Sequence, residues 1–185
     1  NMHSSSLWIT AFSWKIFFVF LGLTLLISAA LITKQIADEK KDKMNKKLFL
    51  IGKHISSERG KYTAKIVLIL GGSISIIANW ITAMPAMCIY FLWGIKYNPV
   101  PLKWKNVPIA GWLVNSLVGV LLFIIGWMLG MNNYPYNGII SLSIDTFSHM
   151  IPYVLCFSAV SLLITLDEIQ GDDAATSLTV PIVFR

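Results

Sequence analysis

Apolar runs close to the length needed to cross a bilayer recur five times along the 185 residues, and no other feature constrains the fold as strongly. They fall at 14–33, 64–80, 83–94, 108–130 and 139–166. A hydrocarbon core about 30 Å thick takes roughly 20 apolar residues of helix. Backbone polar groups find no water there, so each run is expected to be a helix that satisfies its own hydrogen bonds. The third run is short, and Met84-Pro85 blurs its boundary with the second; Pro152 predicts a kink in the fifth. The expected fold class is therefore all-α, a polytopic transmembrane bundle with about five spans.

Composition agrees: 56% of residues are hydrophobic and only 13% charged, against roughly 25% charged in soluble domains. The net charge of +6 does not indicate nucleic acid, because the basic residues sit between apolar runs with no RNA- or DNA-binding motif around them. Thirteen of the 15 Lys and Arg residues lie in two segments, ten within 34–65 and three (Lys96, Lys103 and Lys105) within 96–105. Two spans separate those segments, so they share a side, and the positive-inside rule makes that side cytoplasmic. The acidic stretch Asp167, Glu168, Asp172, Asp173 falls on the same side by the same count. A bacterial cytoplasmic membrane is the expected location. Cys88 and Cys156 lie within apolar runs without metal-ligand spacing, and are expected to be small buried hydrophobes.

Three polar segments on that side can carry chemistry. In the first, Asp38 and Asp42 are four residues apart, so a helix continuing past the first run puts both on one face. Paired carboxylates suit Mg²⁺, a hard cation that completes its shell with water and substrate phosphate. Alternatively, they are a solvated helix end pairing with local lysines. In the second, Glu168 and Asp172 repeat the spacing at the same depth, which suits a two-metal diphosphate site. The third, Tyr97 to Lys105, is punctuated by Pro99 and Pro101, and sets Lys103 and Lys105 either side of Trp104. These lysines either anchor the chain at the interface or contact diphosphate oxygens. Asn115 reads first as an interhelical hydrogen bond and second as a ligand. Asp145 and His149, one turn apart near the opposite side, read as an interface pair.

Together these residues resemble the UbiA-type intramembrane prenyltransferases. That family's first signature, Asn-Asp/Gln-x-x-Asp-x-x-x-Asp, is matched by Lys34-Gln35-Ile36-Ala37-Asp38-Glu39-Lys40-Lys41-Asp42, followed by a basic stretch and Gly52-Lys53-His54-Ile55-Ser56. Tyr97 to Lys105 resembles the family's Tyr-Ser-x-x-Pro-x-Arg-x-Lys, with Asn115 where an Asn is common in the next helix. Glu168-Ile169-Gln170-Gly171-Asp172 and Thr179-Val180-Pro181 resemble Asp-x-x-Gly-Asp and Thr-Leu-Pro.

The resemblance implies a nine-helix fold around a central cavity, of which this chain would be a single domain incomplete at both ends. It implies Mg²⁺-dependent transfer of a prenyl group from an isoprenyl diphosphate to a small, aromatic or lipophilic acceptor in the membrane, as in quinone biosynthesis. Asp38, Asp42, Glu168 and Asp172 would be the catalytic and metal-holding residues. Lys34, Tyr97, Lys103, Lys105 and Asn115 would bind substrate. Two positions depart from the pattern: Lys34 stands for Asn, and Glu168 for Asp. Those departures leave a second reading open, a non-catalytic family member acting as a structural or interaction subunit.

Overall fold

The computed structural model describes residues 14–44, 46, 48–97, 108–130 and 144–167. Within them the chain forms α1 (Trp14–Met44), α2 (Ser57–Tyr90) continuing into a wider π-helical stretch (Phe91–Tyr97), α3 (Pro108–Gly130) and α4 (Ile144–Asp167). Among the described residues four helical segments are long and apolar enough to cross a membrane, the second of them the 39-residue Ser57–Ile95.

That second segment is too long for one crossing. At about 1.5 Å per residue it would extend roughly 58 Å if straight, nearly twice the hydrocarbon thickness. Asn79 breaks it: its backbone is extended (φ −164°, ψ 102°). Asn79 Oδ1 accepts the Ile81 N–H at 3.1 Å, and Thr82 Oγ1 donates to the Asn79 carbonyl at 3.1 Å. The side chain thus caps a new helix start in place of the lost backbone partners. Beyond the break the chain returns along α1, since Phe91–Tyr97 packs against α1 as well as α3. The second and third apolar runs are therefore two arms of one broken helix. The break lies at Asn79, just before the boundary at 81–82 read from the sequence, and Pro85, which blurred that boundary, is buried inside the second arm.

Close approach holds α1 to the first arm of α2. In lipid, where apolar surface alone gives little drive for association, small residues let backbones meet and gain packing. A Cβ on Gly71 would lie 2.9 Å from Leu25 Cβ and 3.0 Å from the Leu26 backbone nitrogen. Gly22 faces Ser75, and further along Ile36 touches Gly60 and Glu39 bonds Ser57. The pairs run in opposite directions along the chain, so the two helices are antiparallel. A central cluster then joins Val19, Leu23 and Leu26 of α1 to Ala86, Ile89 and Leu92 of the returning arm and to Val114, Val118 and Ile125 of α3.

The α3–α4 pair is also antiparallel. Gly119 makes room for Phe157, Phe123 meets Tyr153 at 5.2 Å, and Ser116 and Ser158 hydroxyls lie 2.6 Å apart. Pro152 is contained in α4, and the described part of the fifth run starts at Ile144. Cys88 and Cys156 are both exposed, contrary to the expectation that they are buried. Each lies on a helix face turned away from the packed seams, where in a membrane an apolar thiol meets lipid rather than water.

Candidate functional site

Tracing the helices end to end brings together the described helix ends that lead into the three polar segments. α1 runs toward Asp38 and Asp42, and α2 starts back from that same end at Ser57. The returning arm regains it at Tyr97, α3 leaves it at Pro108, and α4 arrives there at Asp167. The break at Asn79 is what makes this possible, because an unbroken α2 would carry Tyr97 to the far end.

α1 continues unbroken to Met44, so the first acidic pair lies on a regular helix. The stripe of α1 that packs inward, Leu23, Ile27 and Ala30, steps on at helical spacing to Lys34 and Asp38. Asp38 is only 9% exposed, while Lys34 and Asp42 are half-buried. Gln35 lies three residues before Asp38 and seven before Asp42, on the same side of the helix. Its Oε1 is buried without a hydrogen-bond partner among the described residues. Burying an acceptor unpaired costs about 1–3 kcal/mol, so it marks a place where a cationic or donor group fits. Gln35 falls within the first signature of the sequence but had no role assigned there, although its spacing to Asp38 carried the signal.

The neighbouring side of α1 clamps the connection to α2. Glu39 accepts a short hydrogen bond from the Ser57 hydroxyl, and its carboxylate closes against Gly52. Gly52 adopts φ +81°, a left-handed conformation in which a Cβ would be strained and would stand 3.0 Å from Glu39 Oε1. The loop is knitted by Gly52 N–H to the Ile55 carbonyl at 2.9 Å, and by His54 and Ile55 N–H groups to the Leu50 carbonyl at 3.0 and 3.1 Å. Ile51, buried against Gly60, anchors it, and Lys53 and His54 are left exposed at its tip. The Glu39 carboxylate is thus used in holding the loop, while Asp38 and Asp42 lie along the adjacent inward side of the helix.

Asn115 joins three elements. Its Oδ1 accepts the Trp93 indole N–H at 2.9 Å and its Nδ2 donates to Ser161 Oγ at 2.8 Å. Both ends of the amide are therefore occupied by protein. Trp93 is one helical turn before Tyr97, and Ser161 lies in the last turns of α4, which is described to Asp167. Lys103, Lys105, Glu168 and Asp172 lie outside the described residues, as do Lys47, Pro99 and the Thr179–Pro181 stretch; for Tyr97 the helical position alone is described. Among the described residues no three His, Cys, Asp or Glu side chains converge on a cation position. Of the expected metal-holding four, only the first pair is within view. Its donor set of hard oxygens, with the unsatisfied Gln35 Oε1 beside it, fits Mg²⁺. Asp145 and His149 begin α4 at the opposite end, where His149 is exposed.

Among the described residues, a bundle of long apolar helices defines a polytopic integral membrane protein. The sequence model of the UbiA prenyltransferase family matches residues 4–185, and the chain belongs to that family. Prenyltransferase activity within membranes follows at the level of the family. Comparison with curated proteins found no match, and comparison with solved structures found none either.

Proposed function

We propose that this chain binds an isoprenyl diphosphate at the end of the bundle marked by its three signatures, and transfers the prenyl group to a small aromatic or lipophilic acceptor. The observation that carries the reading is the inward stripe of α1, which ends in Lys34, a largely buried Asp38 and, one turn on, Asp42. Helix interiors at membrane depth rarely hold ionisable groups unless these meet a ligand, a partner or water.

On this reading Asp38, Asp42, Glu168 and Asp172 hold Mg²⁺, and Gln35 Oε1 is a further oxygen beside them. Bound there, Mg²⁺ would neutralise the diphosphate oxygens and make diphosphate a better leaving group. Lys34, Lys103 and Lys105 add positive charge to the same oxygens, and lysine as a point charge suits a mobile polyanion. Tyr97 would contribute to substrate binding. The C–O bond of the substrate breaks with both electrons leaving on diphosphate; the allylic carbon then bonds to the acceptor, which gives up a proton. The apolar cluster of Leu26, Ile89 and Val118 below the signatures excludes water that would otherwise trap the cation as an alcohol. Asn115 is assigned to hold Trp93 and Ser161, and with them the two segments that lead into the second and third signatures.

The test is prenyl transfer by the purified full-length protein in nanodiscs, with labelled prenyl diphosphates and a panel of acceptors. Product that requires Mg²⁺, and that falls by at least about 100-fold in Asp42→Ala and in Asp172→Ala, supports the assignment, since removing a charge-stabilising group costs on that order. Undiminished activity in both variants would sink it. Diphosphate binding without any product would favour the non-catalytic reading.

A further inference from the structure

The first two turns of α2 carry a second cationic surface that faces away from the proposed diphosphate site. α2 meets α1 through Gly60, Ala64, Gly71 and Ser75, all buried and recurring at helical spacing. The opposite face begins with Arg59, Lys61, Tyr62 and Lys65, all exposed, and continues into Ile66 and Ile69, 58% and 66% exposed. The only acidic residue in this stretch is Glu58. None of the three cations is ion-paired with a carboxylate among the described residues. The apolar continuation of this face can be wet by lipid but not by water, which sets Arg59, Lys61 and Lys65 at the depth of the headgroups. Long cationic side chains there extend along the interface with their charges outward, and an exposed Tyr commonly sits at the same level.

We infer that this face is a binding site for anionic phospholipid headgroups, separate from the site on the inner stripe of α1. Orientation during insertion needs only the count of positive charges. It does not require that Lys61 and Lys65, one turn apart, stand on one exposed side above an apolar strip, with Arg59 exposed on the flank beside Tyr62. Charge complementarity selects the partner: a phosphodiester lipid without a compensating amine. Each cation near such a surface contributes roughly a fivefold preference, so three cations offset by Glu58 predict on the order of 25-fold in favour of anionic over zwitterionic lipid.

The experiment is a lipid titration of the full-length protein in mild detergent, read by native mass spectrometry, with phosphatidylglycerol and phosphatidylcholine of identical acyl chains. Wild type should retain phosphatidylglycerol preferentially, and the preference should shrink as ionic strength rises. Arg59→Gln/Lys61→Gln/Lys65→Gln should bring the two lipids to within about twofold, whereas Lys34→Gln, on the inner stripe, should leave the preference intact. Equal retention of both lipids by wild type, or full preference in the triple variant, overturns the proposal. So does displacement of phosphatidylglycerol by an isoprenyl diphosphate whose own binding is lost in the triple variant, since the face would then belong to substrate capture.

Discussion

The contact between α1 and α2 rests on single atoms. Gly71 and Gly72 are adjacent and both buried, yet a Cβ on Gly71 meets the backbone of Leu26, while one on Gly72 meets nothing within 4 Å. Backbone cannot rotate out of the way as a side chain can. Gly71→Ala should therefore force the helices apart and cost about 1–3 kcal/mol, the usual range for overpacking. Gly72→Ala should be neutral or slightly stabilising, because alanine is the better helix former. Thermal unfolding of the two variants in the same detergent compares them directly; equal midpoints would refute the crossing geometry. Neither glycine stood out in the sequence. Small residues in an apolar run signal close packing in general, but which of two neighbours faces the partner depends on helix rotation, and that is fixed only by tertiary contact.

Among the elements, the broken α2 and the Asn115 clamp decide how the bundle closes. The sequence showed two apolar runs here with a junction at 81–82, close to the break, but blurred by Met84-Pro85. Proline is the stronger textual signal, yet in a helix it removes only one donor, and neighbouring helices can absorb the kink. Asn79 instead supplies a side-chain acceptor for the new helix start, which an asparagine inside an apolar run does not advertise. The first acidic pair was more legible: i, i+4 spacing needs only that α1 continue past the membrane, and it does, to Met44. Asn115 was legible as an interhelical residue, though its two partners, 22 residues before it and 46 after, were not. If the amide couples the arms, Trp93→Phe and Ser161→Ala should each lose stability in the Asn115 background but little in Asn115→Leu. The coupling should be about 0.6 kcal/mol, within the range of transmembrane hydrogen bonds. A double-mutant cycle on unfolding in detergent measures it. Additive losses would mean that the three side chains merely coexist.

For the whole molecule, the decisive consequence of the break at Asn79 is topological. With α2 as one crossing, the loop carrying Lys53 and the segment carrying Lys103 would lie on opposite sides of the membrane, and no single site could use both. With α2 as two arms, the helix ends that lead into those segments share a side, and α4 ends there at Asp167. The ten cations of 34–65 dominate the charge of the chain, so the positive-inside rule predicts that this side faces the cytoplasm. Single cysteines introduced by Lys53→Cys and Lys103→Cys, in a Cys88→Ala/Cys156→Ala background, should therefore react with a membrane-impermeant maleimide only after the membrane is opened. Tyr134→Cys, between α3 and α4, should react in intact cells. The native cysteines are removed because both are exposed on helix faces and would blur the readout. Opposite labelling of positions 53 and 103 would show α2 to be a single crossing. It would also remove Lys103 and Lys105 from any diphosphate site built on Asp38 and Asp42, because side chains cannot act together across some 30 Å of hydrocarbon.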